Sequence, residues 1–142
     1  MSEKKPVVLF LCTANSARSQ MAEALLGKHA GDRFEVHSAG LEPKEIHPLT
    51  REVMQEAGCD LSGQRAKGVD EYLGRLDVRY LITVCSSAAS HCPRVWPGSP
   101  AMQRLDWSVD DPAAAEGDEQ QKLDAFRRAR DELEAKISDW LK

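Results

Sequence analysis

An α/β fold, a single three-layer domain with a four-stranded parallel sheet, is what this 142-residue sequence predicts. Three observations predict it. Short continuous apolar runs rich in β-branched residues alternate with segments of helical periodicity, the order that right-handed strand–helix–strand crossovers produce. The runs lack the polar alternation of a half-exposed sheet, so both of their faces are expected to be covered. Neither a repeat nor a linker interrupts the chain, and residues 1–142 read as one domain large enough to bury its own core.

Residues 7–12 form the first apolar run, a buried strand. After a polar loop, residues 19–29 read as a helix with Ala22, Leu25, Leu26 and His29 on one side. Residues 34–39 are a second strand, closed by Gly40. Residues 47–57 are a helix, because Leu49, Val53 and Ala57 recur at one-turn spacing and Gly58 stands where a C-terminal cap belongs. Residues 69–76 read as a short helix and residues 80–84 as a third buried strand. From 85 to 100, proline, serine and glycine are frequent and no period holds, so the segment reads as a loop with room for a helical turn. Residues 102–107 are a short fourth strand. Residues 118–141 form a long amphipathic helix whose buried stripe carries Leu123, Phe126, Ala129, Leu133, Ile137 and Trp140 or Leu141.

The formal net charge is -4, and the basic residues are scattered. Nucleic acids and membrane surfaces both select a contiguous basic patch, so neither is expected as a partner; an anion must be captured by a local device. Lys4 and Lys5 precede an apolar run too short for a signal-peptide core or a membrane span, so a cytoplasmic protein is expected, and a monomer. In a reducing cytosol the four cysteines are poor candidates for a structural disulfide framework. Catalysis, redox cycling and metal binding remain open to them.

Cys12-Thr13-Ala14-Asn15-Ser16-Ala17-Arg18-Ser19 places a C-x5-R-S directly between a buried strand and a helix. Backbone amides of such a tight loop, here from Thr13 to Ser19, can line an anion site, and the helix start adds positive potential. Arg18 offers a planar fork that suits a tetrahedral oxyanion. The same field is expected to depress the pKa of Cys12 below the roughly 8.5 of a free thiol and keep it a nucleophilic thiolate. Ser19 can donate a hydrogen bond to the sulfur, and Asn15 can brace the loop. A C-x5-R alone is a weak signal; its place between strand and helix makes it specific.

Asp110-Asp111-Pro112 follow the last predicted strand, where open parallel sheets bind ligands. Pro112 biases Asp111 toward an extended backbone, and a carboxyl facing a bound anion is expected to have a raised pKa and to donate a proton. Asp111 is the first choice for that acid and Asp110 the second, against an ordinary Asp-Pro turn. Cys85 and Cys92, spaced C-x6-C, start from the end of the third strand, on the same sheet edge as the loop. Zinc fits them poorly, because structural sites prefer closer pairs and four ligands. Cys59, His29, His37 and His47 read as structural, and Trp107 as core filling.

The run FLCTANSARSQMAEALL, together with His37-Ser38-Ala39-Gly40 and Asp111-Pro112, resembles the low-molecular-weight protein tyrosine phosphatase fold. Within that fold it is most similar to the thioredoxin-coupled arsenate reductases, over nearly the whole chain. The resemblance implies that Cys12 attacks arsenate while Asp111 protonates the departing oxygen. Cys85 then attacks Cys12 and releases arsenite, and Cys92 resolves the product as a Cys85–Cys92 disulfide. Thioredoxin is the implied external reductant and partner, with no bound cofactor. The alternative is a tyrosine phosphatase whose extra cysteines guard against oxidation. Thiols cannot reduce phosphorus(V), so hydrolysis has no use for Cys85 and Cys92. Ala113-Ala114-Ala115 stand where phosphatases commonly carry aromatic residues, and Ala17 where they often carry a guard cysteine. Weak phosphatase activity is still expected of the shared loop. Ala14 departs from the glycine of many relatives. Some relatives hold potassium through Asn, Glu, Ser and Asp; Asn15, Glu23 and Ser38 match, but the Asp position falls near Gly68, so no metal is expected.

Overall fold

The computed structural model describes residues 5–72, 75–85 and 101–142. Its sheet is built from β1 (Val7–Cys12), β2 (Glu35–Gly40), β3 (Val78–Thr83) and β4 (Gln103–Asp106). The strands are parallel and run in the order β2-β1-β3-β4. β1 lies inside the sheet, and its residues from Val8 to Cys12 are buried, as the unbroken apolar run requires. The register pairs Leu11 with Thr83, so β1 and β3 end side by side.

Among the described residues, three α-helices accompany the sheet: α1 (Arg18–Ala30), α2 (Pro48–Glu56) and α3 (Glu119–Trp140). α1 packs on β1 and β2 and against α3, which also packs on α2. The buried stripe of α3 is Ala125, Phe126, Ala129, Leu133 and Ile137. Asp118 caps that helix, accepting from the Gln121 amide at 2.8 Å, while the Gln121 side chain accepts from the Asp118 amide at 2.9 Å. Gly58, with φ of 81°, ends α2 in the left-handed conformation that glycine reaches without strain.

Two segments depart from expectation. The stripe of α2 is Thr50, Val53 and Met54 in place of Leu49, Val53 and Ala57. Thr50 turns inward because its hydroxyl donates to the Ser16 carbonyl at 2.9 Å. Among the described residues between 69 and 76, a 3-10 turn forms at Val69–Glu71. Val69 is the one buried side chain of that turn. Cys92 lies outside the described residues, as does all of 86–100.

Candidate active site

Residues 12–19 turn from the end of β1 into α1, and the orientation of each peptide is set by what its carbonyl meets. The amides of Leu41, Glu42 and Lys44 donate to the carbonyls of Cys12, Thr13 and Ala14 at 3.1, 2.8 and 2.9 Å. The Gln20 side chain donates to the Asn15 carbonyl at 3.1 Å. Ser16 O accepts from the His47 amide and the Thr50 hydroxyl, both at 2.9 Å, and Ala17 O from the Met21 amide at 2.9 Å. With these carbonyls held by groups outside the loop, its amides are the groups left to line an anion site. Ala17, the residue before α1, has no side chain to cap the helix, so the first-turn amides are left for a bound anion.

Two residues make the turn possible. Gly40 ends β2 against the loop; a Cβ there would lie 2.8 Å from both the Asn15 nitrogen and the Thr13 oxygen. Asn15 adopts φ of 52°, a left-handed conformation that asparagine tolerates better than most residues. It is fully buried. Its Oδ1 accepts from the Lys67 amide at 2.8 Å and from Gln20 Nε2 at 2.9 Å. A backbone N–H only donates, so these contacts fix which way the Asn15 amide points. Its Nδ2 then donates to Ser19 Oγ at 2.7 Å and to Ser38 Oγ at 3.0 Å.

Cys12 Sγ lies 2.8 Å from Ser19 Oγ and accepts from the Asn15 amide at 3.1 Å. These contacts lower the thiol pKa, as expected of the motif. Burial is the larger effect, however, and it pushes the Cys12 thiol up from its ordinary value. The depressed pKa expected from the sequence is therefore corrected. Cys12 is 2% exposed, and in the unliganded pocket desolvation of the sulfur outweighs its hydrogen bonds.

A pocket of about 650 Å³ opens over this sulfur, lined by Cys12, Arg18, Cys85 and Asp111, with Lys44 and His47 on its wall. Asp110 lines it as well. Arg18 Nη1 donates to the Val109 carbonyl at 2.8 Å, and its Nη2 lies 3.9 Å from Asp111 Oδ2. Asp111 is extended, with φ of -72° and ψ of 110°, and its side chain accepts from the Ala113 amide at 3.0 Å. The Asp-Pro step thus holds the carboxylate at the rim. Cys85 is buried, and its Sγ lies 3.5 Å from Thr13 Oγ1, which joins the second thiol to the loop.

Of the residues singled out in sequence, Cys12, Arg18, Cys85 and Asp111 meet in this pocket, together with Thr13, Ala14, Ser16 and Ala17. Asn15 and Ser19 are buried behind it as braces. Cys92 lies outside the described residues. His47, read as structural, has two parts: its Nδ1 accepts from the Leu49 amide at 3.1 Å to cap α2, and it forms pocket wall. Gln20, Thr50 and Lys67 escaped the sequence reading. Gln20 alone carried a signal, as a polar residue beside the apolar Met21 and Ala22. Trp107 packs in an aromatic cluster, 6.1 Å from Phe10 and 6.1 Å from Trp140 between ring centres.

Comparison with known proteins agrees with this geometry. The low molecular weight phosphotyrosine protein phosphatase family matches residues 7–142. The chain belongs to that family. Within it, the chain is 43% identical to the arsenate reductase of Bacillus licheniformis, over 94% of this chain and 93% of that protein. Its fold superposes on an arsenate reductase solved in the phosphate binding state, with a TM-score of 0.77, 28% identity and 96% of each chain covered. A thioredoxin-dependent arsenate reductase of Corynebacterium glutamicum gives a TM-score of 0.62 at 33% identity, covering 97% of this chain and 64% of that one.

Proposed function

We propose that this family member reduces arsenate to arsenite, drawing electrons from thioredoxin in the cytoplasm. The observation that carries the reading is the presence of two buried thiols, Cys12 and Cys85, in one oxyanion pocket. Hydrolysis of a phosphate ester needs one. The similarity to proteins named arsenate reductases supports the same choice.

The oxyanion sits on the loop amides, with Arg18 swinging from the Val109 carbonyl to pair with it. Cys12 attacks arsenic as the thiolate, and Asp111 gives a proton to the departing hydroxyl, which leaves as water. Cys85 then attacks the Cys12 sulfur. The electron pair of the S–As bond passes to arsenic, which departs as arsenic(III), and a Cys12–Cys85 disulfide remains. Cys92 attacks Cys85, frees Cys12 and leaves a Cys85–Cys92 disulfide. Two electrons from thioredoxin restore the dithiol. The chain works as a monomer, and no bound cofactor enters these steps.

A second reading, a tyrosine phosphatase with protective cysteines, rests on the loop it shares with the family. Arsenate-dependent NADPH consumption, measured with thioredoxin and thioredoxin reductase, separates the two. Wild type should turn over, and Cys12→Ser, Cys85→Ser and Cys92→Ser should each stop. A wild type that ignores arsenate but hydrolyses an aryl phosphate would establish the phosphatase reading instead.

A further inference from the structure

Behind the loop lies a charged pair that this chemistry leaves unused. Lys67 Nζ is 3.3 Å from Glu23 Oε1, and the two side chains are only 9% and 18% exposed. Such a pair is weak evidence for stability, because desolvating both charges offsets much of their attraction. Its direction is more informative. A carboxylate only accepts, so the Ser38 hydroxyl must donate to Glu23, 2.5 Å away. That spends the Ser38 proton, and Ser38 Oγ can only accept from Asn15 Nδ2. The Lys67 amide holds Asn15 in this orientation, so the other Nδ2 proton goes to Ser19 Oγ. Ser19 then has one proton of its own, and Cys12 Sγ at 2.8 Å is the partner left to receive it. The two Asn15 Nδ2 protons therefore diverge, one toward Ser38 and the ion pair and the other toward Ser19 and the nucleophile.

We infer that the Lys67–Glu23 pair is a positioning device: Glu23 holds Ser38 as the acceptor of one Asn15 proton, which braces Asn15 against Ser19 and so supports the Ser19 donation to Cys12. The inference rests on Cys12 being the nucleophile. Lys67 does not line the pocket; it pairs with Glu23, and Glu23 accepts from Ser38. The charged and titratable groups facing the pair are Glu71 on the 3-10 turn and Tyr72 just after it, with Arg65 bonded to Glu71 at 2.6 Å. The Tyr72 phenol is pushed up to about 12 by burial and then by Glu23 and Glu71, so it stays neutral while a thiol titrates. Around the sulfur itself stand Arg18, Asp111 and Cys85.

The test is the pH dependence of Cys12 alkylation by iodoacetamide, read at the Cys12 peptide by mass spectrometry. Lys67→Met and the apolar double variant Glu23→Leu/Lys67→Met should raise the midpoint by about one pH unit, the size of one hydrogen bond to a charged group. Lys67→Arg keeps the charge and should stay near the wild-type midpoint. The double variant buries no unpaired charge, and Ser38→Ala gives a third, smaller cut in the same series with the same expected rise. An unchanged midpoint in a folded double variant or in Ser38→Ala overturns the inference and leaves the nucleophile assignment standing. A wild-type Cys12 whose reactivity does not titrate removes both.

Discussion

In the proposed reaction Asp111 and Cys12 work at opposite ends of the same bond, and the pocket treats them differently. The sulfur is buried at the pocket floor, whereas the Asp111 side chain is 47% exposed at the rim. At that exposure its 3.9 Å approach to Arg18 contributes little to stability, so the proposed acid can be removed without unfolding the protein. Asp111→Asn should therefore fold like wild type and bind arsenate with a similar KM. Its kcat should fall by roughly 10²- to 10⁴-fold, the range that proton donation contributes. Steady-state kinetics on the purified variant checks this, and an unchanged kcat would pass the acid role to Asp110. Cys12, Arg18 and Ser19 were legible in sequence because they fall within one short loop. Lys67 was not, because its amide meets Asn15 across 52 residues, and nothing local to Arg65-Ala66-Lys67-Gly68 announces that contact. The Cys12 pKa was misjudged for a related reason: a motif shows the hydrogen bonds a thiol can receive, but not how far the fold removes it from water.

Between elements, two contacts carry most of the consequence. Gly40 lets the end of β2 press against the Cys12 loop, and alanine there would overlap backbone atoms that cannot swing aside. Gly40→Ala should displace the loop and lower turnover about 10²-fold, the effect expected of a misplacement near 1 Å. Heteronuclear NMR should show the disturbance confined to β2 and the loop. The second contact joins α2 to α3: Glu56 meets Arg127 at 2.6 Å and Arg130 at 3.0 Å. The Arg127 hydrogen bond leads in holding the Glu56 carboxyl down at about 2, against an ordinary value of 4.5. Because the folded value lies below the unfolded one, the stabilisation is present above pH 4.5 and is lost as pH falls through about 2. Glu56→Gln should therefore lose less Tm than wild type between pH 5 and pH 2, a difference that thermal unfolding at the two pH values would reveal. The elements themselves were mostly legible. Of the helix expected over 69–76, the described residues form a 3-10 turn at Val69–Glu71, because apolar residues at helical spacing do not guarantee a surface to pack on.

At the scale of the whole molecule, parallel topology explains how residues so distant in sequence converge. Parallel strands deliver every β-to-α connection to one edge of the sheet, so the ends of β1, β3 and β4 lead to Cys12, Cys85 and Asp111. Alternation of strands and helices made that edge predictable. The pairing of Leu11 with Thr83, which sets Cys12 beside Cys85, depends on a strand order that alternation alone does not dictate. The central claim is that these two thiols together supply the electron pair that reduces one arsenic atom, Cys12 by attacking it and Cys85 by attacking the Cys12 sulfur. Its most direct test is a single turnover of Cys92→Ser with arsenate, quenched by alkylation and read by peptide mass spectrometry. The account predicts one equivalent of arsenite and a Cys12–Cys85 disulfide trapped in the product. Arsenite released with both thiols still alkylated, or no arsenite at all from a folded protein, would contradict it.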